Sequence, residues 1–185
     1  SEYYLGNCGR GFDGGYMQLT RNKSLCLLRH AKSSWLQSAL ADFDRPLSPR
    51  GIRNASDLNK FLISRNFIFD KILSSSSRRT KDTCSIALDG ITSRDNTIFT
   101  DSLYSASANS MINMIRSQNN DLNTILVVGH NPSIHEVFEV LTGKNLIKYP
   151  TGTFSVVRCP LEWENVLDNF CEVSNFLPPK HLYEL

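Results

Sequence analysis

The chemistry available to this chain starts with Arg29 and His30, the pair that closes the apolar run Leu25-Cys26-Leu27-Leu28. Four successive apolar residues read as a strand buried on both faces. In an open α/β sheet, ligands bind just outside the carboxyl end of such a strand. An imidazole placed there can attack as a nucleophile, and a guanidinium beside it can grip two oxygens of an anion with its planar fork. The same two residues could also do no more than cap an exposed strand end. The rest of the chain weighs against that, because His130 closes a second such run, Thr124-Ile125-Leu126-Val127-Val128-Gly129, which is rich in β-branched residues and free of charge. Chain topology can set parallel strand ends side by side, so the two imidazoles could meet at one sheet edge.

Arg78 and Arg79 come after a third short run and add two more cations. Clustered guanidiniums and imidazoles call for an anion, and a tetrahedral phosphoryl group is the natural counterpart. Arg78 reads as the solvated start of a helix. Arg79 is the stronger ligand candidate, since a cation near a helix N-terminus opposes the macrodipole unless an anion is shared there.

The elements that must position these residues alternate. After the first strand, residues 33–47 form a loop of the kind that builds a pocket wall, carrying Trp35, Phe43, Asp44 and Arg45-Pro46. Ser48 as N-cap and Pro49 at the first helical position open a helix that keeps a 3.6-residue period to about residue 64. A second strand is expected over 67–73, stopped by Ser74 to Ser77, then a helix from Arg78 to near Asp89-Gly90. Next come a short strand at 97–100, a helix over 106–118, the strand at 123–129 and a helix from His130-Asn131-Pro132 to Gly143. Two late strands, 153–159 and 169–174, are expected to pair antiparallel across Glu162-Trp163-Glu164. The pattern predicts an α/β three-layer sandwich: a mostly parallel central sheet, helices on both faces and a C-terminal antiparallel hairpin.

A chain of 185 residues makes one ordinary domain, assigned here to residues 24–185. Residues 1–23, with five glycines between Gly6 and Gly15 and no periodicity, read as a flexible tail. That tail is either appended or left from a trimmed targeting segment, with Met17 a candidate native start. A formal net charge of +2 provides no broad field for nucleic acid or membrane. Five cysteines in an odd, unpatterned set read as reduced thiols and favour an intracellular, cytoplasmic setting, an organelle being the alternative.

Taken together, the motifs resemble those of the histidine phosphatase superfamily, which includes the phosphoglycerate mutases, and within it the SixA-like phosphohistidine phosphatases. The resemblance spans roughly residues 24–182. It rests on Leu28-Arg29-His30-Ala31 with Lys32-Ser33, and on Arg45-Pro46-Leu47-Ser48-Pro49-Arg50-Gly51. It continues through Ser74-Ser75 with Arg79 and Thr83, then Val127-Val128-Gly129-His130-Asn131-Pro132, and closes on Pro179-Lys180 with Leu182. Ala31 stands where a glycine is usual and Ser76 where a proline is common. The resemblance implies a metal-independent phosphatase without cofactor. His30, its far nitrogen held by a backbone carbonyl, attacks phosphorus and becomes a phosphohistidine that water hydrolyses. Arg29, Arg79 and His130 surround the phosphoryl oxygens, with Ser33 a further substrate contact. The family's acid maps to Asp101, a shorter side chain than the usual Glu. Phosphorylated protein or a small phosphate ester is the implied substrate, acted on by a monomer.

Other classes fit less well. His130 and His135 are five apart, off the spacing of a helical zinc pair. No Gly-x-Ser-x-Gly elbow is present for a serine hydrolase. A non-catalytic reader of phosphorylated ligands would not need both histidines. A mutase needs a larger lid than the short segment between Arg79 and the third helix can supply.

Overall fold

The computed structural model describes residues 3, 23–37, 39–91 and 96–183. The glycine-rich stretch and Met17 lie outside the described residues. Six strands form one sheet: β1 (Lys23–Arg29), β2 (Lys71–Ser75), β3 (Thr97–Thr100), β4 (Thr124–Gly129), β5 (Phe154–Cys159) and β6 (Glu172–Leu177). Their order is β3-β2-β4-β1-β5-β6. The first four are mutually parallel, and β5 and β6 add antiparallel at the β1 edge. Helices α1 (Pro49–Ser64), α2 (Arg78–Ala87), α3 (Ala108–Arg116) and α4 (Ser133–Thr142) complete the expected three-layer sandwich.

The strand alternation explains the layers. Leu25 and Leu27 of β1 pack with Ile125 and Val127 of β4 against α3 and α4, whereas Cys26, Leu28, Leu126 and Val128 face α1 and α2. All of these are at most 1% exposed, as a strand covered on both faces requires. Local signals set the helix ends. Ser48 Oγ accepts from the Gly51 amide at 3.1 Å, and Gly143 ends α4 at a φ of 64°. Gly51 is required by close approach: a Cβ there would meet the Lys32 carbonyl oxygen at 2.1 Å, so the start of α1 lies directly on the loop after His30. Among the described residues, no helix is long and apolar enough to cross a membrane.

Four expectations shift. The second strand is Lys71–Ser75 rather than 67–73, and Ser74 and Ser75, expected to stop it, are fully buried strand residues. Their hydroxyls tolerate burial because each is bonded: Ser74 Oγ donates to the Ser75 carbonyl at 2.9 Å, and Ser75 Oγ accepts from the Ser77 amide at 3.3 Å. The last strand, Glu172–Leu177, lies three residues later than expected. Between β5 and β6, Trp163 is not a turn tip but a fully buried plug whose indole N–H donates to the Leu122 carbonyl at 2.8 Å. Finally, Tyr3 packs in the core and its carbonyl accepts from the Ile147 amide at 2.8 Å, so the expected tail is anchored at that point.

Candidate active site

Register brings the chemistry together. Arg29 pairs with Gly129 across the β1–β4 ladder, so His30 and His130 leave the sheet as neighbours. The His30 amide donates to the Gly129 carbonyl at 3.1 Å, and the two rings lie 5.1 Å apart. β2 pairs with β4 on its other side, and at its end Ser75 Oγ sits 2.8 Å from His130 Nε2. Arg79, in the first turn of α2, completes the group. It is 6% exposed, whereas Arg78 points to solvent, 3.7 Å from Asp82. His30, His130, Arg29 and Arg79 therefore share one pocket at the carboxyl ends of the parallel strands.

The backbone around His30 is fixed from several sides. His30 Nδ1 donates to the Ala31 carbonyl at 2.7 Å, which assigns the proton to Nδ1 and leaves the Nε2 lone pair free. The Ala31 amide donates to Thr83 Oγ1 at 3.0 Å, and Thr83 donates to the Arg79 carbonyl at 2.6 Å. Thr83 thus ties the nucleophile candidate to the helix that carries Arg79. The Gly152 amide meets both the Arg29 and His30 carbonyls, at 3.1 and 2.9 Å. Arg29 Nη1 donates to the Tyr149 carbonyl at 2.9 Å.

Two buried polar atoms in this pocket, Arg29 Nε and His130 Nδ1, have no protein partner. A buried donor without a partner costs about 1–3 kcal/mol, and an oxyanion would satisfy Arg29 Nε. Electrostatics point the same way. Burial, then the neighbouring Arg79, lowers the pKa of Arg29. Burial takes His30 down to about 3, with His130, Arg79 and Arg29 adding to the effect against the Ala31 hydrogen bond. Burial and Arg79 take His130 down to about 4. Both imidazoles are therefore neutral at physiological pH, as a nucleophile requires. Of the cations around them, Arg79 shares a carboxylate, that of Asp42 at 3.0 Å.

Stability should depend on pH in a definite direction. Unfolded histidines take up protons near pH 6.5 while these two do so only near 3 and 4, so the unfolded chain binds more protons between those values. Stability should fall as pH drops from 6.5 toward 4. Ring NMR signals of His30 and His130 in the ligand-free protein should show neutral imidazoles at pH 5. A midpoint near 6.5 for either would contradict the burial effect.

The two remaining expected site residues, Ser33 and Asp101, are each engaged by a neighbouring side chain. Ser33 is buried and its Oγ accepts from Arg45 Nη2, so it belongs to the loop scaffold. Asp101, in the 3₁₀ turn after β3, is exposed and its carboxylate accepts from Ser76 Oγ. Sequence reasoning did not single out three residues of the pocket. Ser75 orients His130. Asp42, in the 3₁₀ turn Asp42–Asp44, accepts from Arg79 Nη2 at 3.0 Å, Arg45 Nη1 at 2.8 Å and Tyr104 Oη at 2.6 Å, and its carbonyl accepts from Arg79 Nη1 at 2.6 Å. Tyr104 sets its ring edge-on to His130 at 5.4 Å. The signal for Asp42 was its place three residues before Arg45 on the loop already read as a pocket wall.

Comparison with known proteins agrees with the geometry. The family model of the histidine phosphatase superfamily (branch 1) matches residues 25–103. An uncharacterized protein of Mycobacterium leprae is 30% identical over 165 residues, which cover 83% of this chain and all of that relative. Among solved structures, a proposed phosphohistidine phosphatase SixA from Nakamurella multipartitia is 26% identical with a TM-score of 0.74, over 85% of this chain and 96% of that one. A corresponding protein from Agrobacterium tumefaciens is also 26% identical, with a TM-score of 0.72, over 85% of this chain and 98% of the other.

Proposed function

From its place in the histidine phosphatase superfamily, to which this chain belongs as a phosphatase of the SixA-like branch, we propose that it hydrolyses protein phosphohistidine without a metal, through a phosphohistidine formed on His30. The observation that carries this reading is the His30 ring, neutral, with Nδ1 donated to the Ala31 carbonyl and Nε2 free beside two guanidiniums and a second imidazole. Nε2 attacks phosphorus in line, the bond to the leaving group breaks, and the phosphoryl group passes to His30. Arg29, Arg79 and His130 hold the equatorial oxygens, where a loose transition state spreads its charge. Water then attacks the phosphohistidine, both of its hydrogens leaving with the phosphate as H₂PO₄⁻.

The two guanidiniums supply the positive charge that a metal would otherwise bring, and the two neutral imidazoles supply ring nitrogens rather than charge. Among the described residues, no group of three or more His, Cys, Asp or Glu is placed to hold one. The substrate class is supported by the acid position. Asp101 is shorter than the family's Glu and is engaged with Ser76, so protonation of an alkoxide leaving group is poorly provided for. Phosphorus bound to an imidazole nitrogen needs that help least. The SixA structures to which the chain is similar support the same class. One chain supplies all four pocket residues, consistent with a monomer. Cys26 and Cys84, buried as thiols outside any disulfide, support action inside the cell, in the cytoplasm.

The test is steady-state kcat/KM on a phosphohistidine peptide, phosphoserine, a sugar phosphate and p-nitrophenyl phosphate, with and without exhaustive chelation. The phosphohistidine peptide should lead the biological substrates, and rates should survive chelation. Equal or faster turnover of an alkyl phosphate would move the reading to a small-molecule phosphomonoesterase with the same nucleophile. Loss on chelation, restored by a divalent metal, would end the metal-free mechanism.

A further inference from the structure

We infer that Asp42 is a specificity-determining residue that selects substrates whose leaving group carries a positive charge or an N–H, and that it does so by accepting a hydrogen bond from the far nitrogen of the departing imidazole. This rests on the phosphohistidine reading and names the group that enforces it.

Asp42 stands where the leaving group must pass. His30, His130 and Arg79 form the pocket floor, each no more than 8% exposed, whereas the Asp42 side chain is 50% exposed. In-line attack from His30 pushes the leaving group away from the floor, toward solvent. The rim that it passes is the 3₁₀ turn bearing Asp42, with Tyr104 beside it, since Asp42 is bonded to Arg79 below and to Tyr104 across the mouth.

Its charge is fixed as well. Hydrogen bonds from Tyr104, Arg45 and Arg79 hold the Asp42 carboxylate well below the usual carboxylate range, against its partial burial. It stays ionised at any working pH and so serves as a fixed acceptor, not as a proton donor. Oδ2 accepts from both Arg79 and Tyr104, while Oδ1 accepts from Arg45 alone and keeps a free lone pair. A fixed negative charge at the mouth of a phosphate pocket is a liability for a simple phosphate ester, whose leaving group departs with negative charge. For phosphohistidine it is an asset. The ring that is protonated at its far nitrogen binds as a cation, the P–N bond breaks with its electron pair going to nitrogen, and imidazole leaves neutral, still bearing the N–H that Asp42 accepts. No proton needs to be transferred in that step.

The ring's positive charge fades as the bond breaks, so the attraction to Asp42 is greatest in the bound substrate. Its loss should therefore be seen more in KM than in kcat.

The experiment compares wild type with Asp42→Asn on phosphoimidazole and p-nitrophenyl phosphate, with the melting temperature of each protein measured alongside. Asp42→Asn should lower kcat/KM for phosphoimidazole roughly 10- to 100-fold, the worth of a hydrogen bond to a charged group. Most of that loss should lie in KM. It should raise kcat/KM for p-nitrophenyl phosphate and tighten inhibition by inorganic phosphate, because the repelling charge is gone. A parallel fall on both substrates would overturn the inference and leave Asp42 as a brace for Arg79. An unchanged ratio between the substrates would also overturn it while leaving the phosphohistidine reading intact. A wild type that fails on phosphoimidazole would bring down both readings.

Discussion

Replacing His30 by Ala is expected to lower kcat by about four to six orders of magnitude on any phosphate substrate, the scale seen when a covalent nucleophile is removed. His30 is the neutral imidazole whose proton is pinned on Nδ1 by the Ala31 carbonyl, so its Nε2 is permanently in the attacking form. His130, 5.1 Å away ring to ring, has its Nε2 at 2.8 Å from Ser75 Oγ and is not set up to replace it. The fold should survive, since the Gly129, Gly152 and Thr83 hydrogen bonds still hold the backbone when the ring's bond to the Ala31 carbonyl is lost. Retention of more than about a hundredth of the activity by His30→Ala would show that the nucleophile lies elsewhere.

Arg79→Ala should cost roughly a thousandfold in kcat/KM, and Arg79→Lys about a hundredfold, because a lysine restores the charge without the planar fork. Arg79 is where α2, the strand ends and the 3₁₀ turn of Asp42 converge, and its buried guanidinium is the cation nearest to both imidazoles in electrostatic effect. Stability should change little by comparison. The partner Asp42 is half exposed and keeps Arg45 and Tyr104 as donors, and removing Arg79 relieves the repulsion on Arg29. Equal kcat/KM for Arg79→Lys and wild type, with vanadate inhibition unaltered, would rule out a direct oxyanion contact.

Much of this site was legible because its main parts end continuous apolar runs. Leu25 to Leu28 and Ile125 to Val128 are strands buried on both faces, and the residue that leaves such a strand must lie at its carboxyl end, so His30 and His130 could be placed from sequence alone. Arg79 was separable from Arg78 by the cost of a cation at a helix start and by the Thr83 spacing. Thr83 proves to join the two halves of the site. The parts that could not be read depend on side chains crossing between distant loops. Tyr104 reaches Asp42 across 62 positions, and neither residue sits in a periodic segment. Ser74 and Ser75 look like strand breakers because hydroxyls usually are. Their burial depends on partners such as His130, which the local sequence does not reveal. Trp163 likewise reads as a turn residue until the Leu122 carbonyl is there to receive its N–H.

The most direct test of the covalent route is to quench the enzyme in the middle of turnover and locate the phosphate. A species that is stable in base and lost in acid, mapped by mass spectrometry to His30 and absent from His30→Ala, is the expected result. Phosphate that survives acid on a serine, or full turnover by wild type with no phosphoenzyme trapped at any time, would contradict it.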